Sequence, residues 1–249
     1  MAIHTDAQGL DARAVTIPVA GGDLPAFQAM PSLGGSFPVV LVVQEIFGVN
    51  DHIQDVCRRL AKLGYLALAP ELYFRQGDVK AMTDPREIIE KVVSRVPDAQ
   101  VMADLDDAAD FAARGRGDST RLGITGFCWG GRVAWLYAAH NSRLRASVAW
   151  YGRLAGPTDP LHPVHPVEIA GRLHCPVLGL YGALDSSIPL DQVERMRAAV
   201  AAARKNAEIV VYPEAGHAFH SDYRPTYHEA SARDGWIRMR DWFRQYGVA

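Results

Sequence analysis

The sequence predicts an α/β protein with a mostly parallel, doubly wound sheet of about eight strands and helices on both faces. Two observations carry this prediction. Short apolar runs alternate along the chain with longer segments whose apolar residues recur at helical spacing. The connections between them are short, and no internal repeat, low-complexity tract or linker interrupts the pattern. We therefore expect a single domain over residues 1–249, in which residues 1–11 are a loosely ordered N-terminal extension.

The first half of the chain begins with an antiparallel edge and continues into the parallel sheet. Strands are expected over residues 14–20, 24–29, 38–43 and 65–69. Gly21-Gly22-Asp23 lies between the first two and is typical of a hairpin turn. The third strand is a continuous β-branched run, as in strands buried on both faces. A helix capped by Asn50 or Asp51 follows and buries Cys57, and further helices are predicted over 85–96 and 98–114.

The second half repeats strand and helix with short connections. Its predicted strands cover residues 121–125, 146–150, 176–181 and 208–212, and its predicted helices cover residues 131–140, 189–203 and 226–245. Residues 152–166 are expected to be irregular. In such a sheet, ligands bind outside the carboxyl ends of the strands, so reactive side chains at those ends are the candidates for a site.

A cysteine stands at the sharpest of these strand ends. Gly126-Phe127-Cys128-Trp129-Gly130 has the Gly-x-Cys-x-Gly pattern of a nucleophile elbow, with cysteine in the place more often taken by serine. The helix that follows directs backbone N–H groups and its positive dipole end at Cys128, which favours a thiolate and later an oxyanion. The alternative interpretation is a small buried cysteine beside a tight turn.

Two further strand ends complete a possible triad. Asp185 and His217 follow Cys128 in the order nucleophile, acid, histidine that α/β-hydrolases use. His217 would exchange a proton with the thiol, and Asp185 would fix the tautomer of its imidazole. Considered singly, His217 could be a surface loop residue and Asp185 a helix cap. The amides of Trp129 and Ile46 are the expected oxyanion donors.

Five short motifs spread over most of the chain share one resemblance: Gln44–Asn50, Pro70–Tyr73, Gly126–Gly131, Gly182–Asp185 and Gly216–Phe219. They are similar to the corresponding motifs of the dienelactone hydrolases, also called carboxymethylenebutenolidases, within the α/β-hydrolase superfamily. The resemblance implies Cys128 as nucleophile, Asp185 and His217 as its partners, and metal-independent hydrolysis through an acyl-enzyme. It also implies that Glu45 pairs with the resting thiol and helps to deprotonate it; from the residues alone, Glu45 could equally be a buried carboxylate held by backbone amides.

The sequence departs from this family where the family binds a substrate carboxylate. Dienelactone-processing members carry a serine directly after the histidine and an arginine three residues later, whereas this chain has Ala218 and Ser221. Arg75 or Arg86 could substitute, although each also fits a surface arginine. The aromatic residues expected near a flat or apolar acyl group are Phe47, Tyr73, Trp129, Tyr151 and Phe219.

We therefore predict a hydrolase that cleaves a small ester or lactone. The alternatives are a broad carboxylesterase or thioesterase and a non-catalytic, redox-responsive binding protein on the same scaffold. The three cysteines lack zinc-type spacing and the chain has no cofactor motif, so we predict neither a metal nor a cofactor. The formal net charge of -2 predicts no nucleic-acid or membrane partner. We expect a cytoplasmic monomer or small homo-oligomer that acts on a small-molecule substrate.

Overall fold

An eight-stranded sheet forms the centre of the structure, a computed structural model that describes residues 3–249. Its strands, given in chain order, are β1 (Leu10–Val19), β2 (Gly22–Pro31), β3 (Phe37–Val43), β4 (Leu66–Pro70), β5 (Gly117–Phe127), β6 (Leu144–Trp150), β7 (Val177–Gly182) and β8 (Ala207–Tyr212). They lie in the order β1-β2-β4-β3-β5-β6-β7-β8. The pairs β1–β2 and β2–β4 are antiparallel, and every other pair is parallel. The predicted α/β-hydrolase fold with its mostly parallel sheet is confirmed.

Helices cover the sheet between these strands. They are α1 (Asp51–Lys62), α2 (Pro85–Lys91), α3 (Asp98–Arg114), α4 (Trp129–His140), α5 (Pro166–Ile169), α6 (Leu190–Ala202) and α7 (Glu229–Gln245). All residues from Val39 to Val43 are buried. Because successive side chains of a strand point to opposite faces, the sheet is covered on both sides at β3. Cys57 is buried in α1, as predicted, and burial raises the pKa of its thiol.

Several element ends differ from the sequence prediction. The helix expected over 85–96 ends at Lys91, and a separate 3₁₀ turn covers Val93–Arg95. The break lies at Val92, which has φ -123° and ψ -65°. Pro97 accounts for the end of the 3₁₀ turn, because the residue before a proline is biased towards extended backbone, and Val96 has φ -92° and ψ 106°. The final helix begins at Glu229 instead of residue 226. Helix α5 and the 3₁₀ turn Ala170–Arg172 were not predicted.

The N-terminal segment reaches the sheet earlier than expected. Strand β1 begins at Leu10, inside the stretch predicted to be an extension. Before it, the Thr5 amide donates to Asp55 of α1 at 2.6 Å, and Lys62 Nζ lies 2.8 Å from Asp6. Residues 1 and 2 lie outside the described residues, so the loose order of 1–11 and the single domain over 1–249 stay predictions. No helix within residues 3–249 combines the length and the apolar character needed to span a bilayer.

Candidate active site

The turn from β5 into α4 is sharply strained at Cys128. This residue has φ 54° and ψ -113°, a region that side-chain-bearing residues rarely adopt, and its amide donates to the Trp150 carbonyl at 3.0 Å. A Cβ on Gly126 would lie 2.0 Å from the Gly130 carbonyl oxygen, and one on Gly131 would lie 2.4 Å from that of Trp150. Glycine is therefore required on both sides of the cysteine for the chain to turn here.

Three sequence-predicted side chains form a hydrogen-bonded line at this turn. The Cys128 Sγ lies 3.1 Å from Nε2 of His217, and Nδ1 of the same imidazole lies 2.7 Å from Oδ2 of Asp185. The carboxylate of Asp185 is buried, and its Oδ1 accepts from the amides of Ser187 and Ile188 at 2.8 and 3.2 Å. These amides fix the carboxylate, which in turn orients the imidazole towards the sulfur.

The protonation of His217 follows from its two partners. Burial by itself would lower the pKa of the imidazole. The hydrogen bonds with Asp185 and Cys128 act in the opposite direction and raise the pKa of His217 to about 10. With its pKa raised in this way, the imidazole holds a proton at neutral pH, and its Nε2 lies 3.1 Å from the sulfur, within reach for proton exchange.

The two backbone amides predicted as oxyanion donors, those of Ile46 and Trp129, have no hydrogen-bond partner among residues 3–249. Trp129 is the first residue of α4, so its N–H has no partner inside the helix. The Gly130 amide donates to the Gln44 carbonyl at 3.1 Å, which joins the elbow to the turn that carries Ile46. Within residues 3–249, no hydrogen bond uses the amide of Ile46 or Trp129. Both stay available for a ligand oxygen.

The carboxylate of Glu45 is close to this site but is not bonded to the thiol. Glu45 is fully buried. Its Oε1 accepts from the Ser221 hydroxyl at 2.8 Å, and its Oε2 accepts from the Tyr223 hydroxyl at 2.8 Å. Among the hydrogen bonds of residues 3–249, none joins Glu45 to Cys128. The sequence did not predict either hydroxyl residue as a partner of Glu45. It singled out Ser221 only because that residue stands where dienelactone-processing members have an arginine.

The aromatic residues predicted near the substrate pack around the elbow and His217, and most of them are buried. Tyr73 packs on Trp129 with ring centroids 4.8 Å apart, and Tyr151 packs edge-on against His217 at 5.3 Å. The Tyr73 hydroxyl is buried without a hydrogen-bond partner of good geometry in the described chain. Phe219 is fully buried, like Tyr151, and packs against it with ring centroids 5.2 Å apart. Phe47, which directly follows Ile46 in the chain, is partly exposed.

The two arginines expected to bind a substrate carboxylate lie elsewhere. Arg75 binds both carboxylate oxygens of Asp104 on α3, at 2.7 and 3.0 Å, so its guanidinium already holds an internal acid. Arg86 is exposed on α2. Sequence reasoning missed Arg224, whose guanidinium carbon lies 5.4 Å from the centroid of the Phe47 ring. No carboxylate of residues 3–249 lies within ion-pair distance of Arg224.

Residues 3–249 contain no group of three or more histidine, cysteine, aspartate or glutamate side chains that could hold a metal ion. The other two cysteines, Cys57 and Cys175, are buried, and burial raises the pKa of the Cys175 thiol to about 12. Of the three thiols, Cys128 is the one with a histidine hydrogen-bond partner among residues 3–249.

Known proteins resemble this chain over nearly its whole length. Residues 24–247 match the sequence model of the Dienelactone hydrolase family. A protein of Methylorubrum extorquens named "Putative carboxymethylenebutenolidase" is 62% identical over 99% of this chain and 85% of its own length. A protein of the same name from Salmonella typhimurium is 59% identical over 98% of this chain and 91% of its own length. The crystal structure of a "Putative Dienelactone Hydrolase" from Klebsiella pneumoniae is 60% identical, covers 95% of this chain and 99% of its own, and superimposes with a TM-score of 0.94.

Proposed function

This chain belongs to the dienelactone hydrolase family and is a hydrolase, and from that premise we propose that it cleaves a small ester or lactone through an acyl-enzyme on Cys128. The observation that carries the proposal is the line from Cys128 Sγ to His217 at 3.1 Å and from His217 to Asp185 at 2.7 Å. A thiol paired with a histidine that is itself oriented by an acid is the arrangement that nucleophilic catalysis requires.

The proposed first half-reaction transfers the acyl group to sulfur. His217 Nε2 holds the proton of the thiol, and the Cys128 thiolate attacks the carbonyl carbon of the substrate. The carbonyl oxygen becomes an oxyanion that accepts hydrogen bonds from the amides of Ile46 and Trp129. The carbon–oxygen bond of the ester then breaks, the leaving oxygen takes the proton from His217, and a thioester remains on Cys128.

The proposed second half-reaction returns the enzyme to its starting state. A water molecule gives a proton to His217 Nε2 while its oxygen attacks the thioester carbon. The same amides stabilise the second oxyanion, which collapses to a carboxylic acid and releases the sulfur. The Asp185 carboxylate stabilises the imidazolium that forms in both steps.

A broad carboxylesterase is the second candidate for this site, and one observation favours it. Dienelactone-processing members bind the substrate carboxylate with a serine and an arginine, and this chain has Ala218 and Ser221 at those two positions. Arg75 already forms an ion pair with Asp104. Arg224, beside Phe47, is a cation that could still receive a substrate carboxylate. Comparing rates on dienelactone, neutral aryl esters and acyl-thioesters would separate the two candidates.

Substitution of Cys128 by alanine tests the proposal itself. Cys128→Ala should lower the turnover of small activated esters by about 10³-fold or more, because the nucleophile is lost. Cys175→Ala is the matched control, since it removes a buried thiol that lies outside the triad. Full turnover by Cys128→Ala would contradict the proposal. Rapid labelling of Cys128 by iodoacetamide without turnover of any ester would favour the redox-responsive alternative instead.

A further inference from the structure

One carboxylate joins the segment that follows His217 to the turn that carries the Ile46 amide. We propose that Ser221 and Tyr223 are positioning residues, which hold His217 and the oxyanion turn in register by binding Glu45 between them. This proposal rests on the proposed function of Cys128 and His217. It assigns Glu45 to alignment of the site, in place of the thiol deprotonation that the family resemblance implies.

The geometry of Glu45 supports this assignment. Its side chain is fully buried, and each carboxylate oxygen accepts a hydroxyl hydrogen at 2.8 Å, one from Ser221 and one from Tyr223. Both donors come from the chain just after His217, four and six residues further on. Glu45 itself precedes Ile46 directly, so the two short bonds connect the imidazole segment with the oxyanion turn.

The hydrogens of the surrounding side chains can all be directed towards this carboxylate. Ser221 has a single hydroxyl hydrogen, which Glu45 receives, so Tyr151 must be the donor in its 3.3 Å contact with the Ser221 oxygen. The Asn50 side-chain amide likewise donates to the Tyr223 hydroxyl, at 3.3 Å. Every hydrogen in the network thus points towards Glu45.

The segment that carries Ser221 and Tyr223 is also held by contacts with α1. Asp222, between the two hydroxyl residues, accepts from His52 Nδ1 at 3.0 Å and from Arg59 at 3.1 Å, both on α1. This pair fixes the segment to the body of the fold. The bonds to Glu45 add the alignment of His217 with the oxyanion turn. Loss of that alignment by less than 1 Å would be felt in the chemical steps, since reacting groups must be held in near-attack geometry.

The test uses Ser221→Ala, Tyr223→Phe and the double variant, assayed on a small activated ester. We expect kcat to fall about tenfold in each single variant and about a hundredfold in the double variant, with KM unchanged within about twofold. Tyr137→Phe is the matched control, since it removes a hydroxyl bond of 2.9 Å to Asp106 from α4, away from the site. It should leave kcat unchanged within about twofold. A higher KM with an unchanged kcat in the Ser221 and Tyr223 variants would overturn the proposal.

Two substitutions of Glu45 separate alignment from proton transfer. Glu45→Gln can still accept from Ser221 and donate to the Tyr223 oxygen, so it should retain most of the kcat, whereas Glu45→Ala should lose about as much as the double variant. If Glu45 instead takes the thiol proton, Glu45→Gln should lose as much kcat as Glu45→Ala, and the acid limb of the pH–rate profile should move in both. That result would overturn the proposal.

A readout independent of turnover distinguishes failure of this proposal from failure of the proposed function. Amide hydrogen exchange of residues 217–224 should accelerate in Ser221→Ala/Tyr223→Phe and stay unchanged in Tyr137→Phe. If the wild-type protein hydrolyses no ester, the proposed function fails, while faster exchange would still support the anchor. Unchanged exchange in the double variant would overturn the anchor whatever the activity.

Discussion

Gly126 and Gly130 approach each other so closely that a Cβ on Gly126 would lie 2.0 Å from the Gly130 carbonyl oxygen. This contact lets the chain reverse from β5 into α4 with Cys128 at its apex. The oxygen belongs to the backbone, so it cannot move aside as the end of a flexible side chain could. The exposure of the sulfur to His217 therefore depends on two residues without side chains.

Gly126→Ala should consequently destabilise the protein strongly. We expect the free energy of unfolding to fall by about 4 kcal/mol or more, because either the elbow or α4 must shift to relieve the overlap. Gly171→Ala is the matched control: its nearest neighbour would be 3.9 Å away. That variant should stay within about 0.5 kcal/mol of the wild type in urea unfolding. Equal stability of the two variants would contradict the close approach.

Asp185→Asn tests the role proposed for the acid. Asparagine keeps the shape of the side chain but can present its NH₂ group to Nδ1 of His217, which selects the wrong tautomer and removes the charge that stabilises imidazolium. We expect kcat to fall by about 10⁴-fold. Asp159→Asn serves as the control, because it changes another aspartate that faces a histidine, His162 at 3.0 Å, on an exposed loop. A loss of less than tenfold in Asp185→Asn would refute the role.

The raised pKa of His217 predicts a pH-dependent contribution to stability. The pKa is about 10 in the folded protein, against about 6.5 for an unperturbed histidine. The contribution is therefore complete below about pH 6.5, decreases between about 6.5 and 10, and is lost at higher pH. The difference in free energy of unfolding between wild type and His217→Gln should shrink over that interval in urea titrations. A difference that grows with pH would show that the imidazole is not stabilised in its charged form.

Substitution of Arg75 should affect stability, whereas substitution of Arg224 should affect substrate preference. Arg75→Ala leaves the carboxylate of Asp104, which is 3% exposed, without its partner. We expect a loss of about 3 kcal/mol in stability and no change in the KM of an anionic ester. Arg224→Ala should raise the KM of an anionic ester about tenfold and leave that of a neutral ester unchanged, since a charge-assisted hydrogen bond is lost. The reverse pattern in steady-state kinetics would return the substrate carboxylate to Arg75.

The sheet and the elbow could be predicted from short stretches of sequence. Contacts between residues far apart in the sequence could not. The Gly-x-Cys-x-Gly stretch contains both glycines that the turn needs, so its geometry is encoded within five residues. Strand β3 is equally local, because a β-branched run of its length fits only a buried strand. The order of Cys128, Asp185 and His217 at strand ends likewise placed them at one edge of the sheet.

The partners of buried charges could not be predicted in the same way. Glu45 is separated from Ser221 and Tyr223 by 176 and 178 residues, and both hydroxyl residues lie in a stretch that the sequence describes only as polar. Arg75 and Asp104 are 29 residues apart, and nothing in the pattern of α3 shows that one of its aspartates turns inwards. Such pairings depend on packing between elements, which a single sequence does not express.

Trapping the acyl-enzyme tests the central claim most directly. The protein would be mixed with a p-nitrophenyl ester, quenched in acid during the first turnovers, and digested for mass spectrometry. We predict a burst of about one nitrophenol per protein chain and an acyl group on the peptide that carries Cys128. Acylation of a different residue, or steady turnover in which Cys128 is never acylated, would contradict the account.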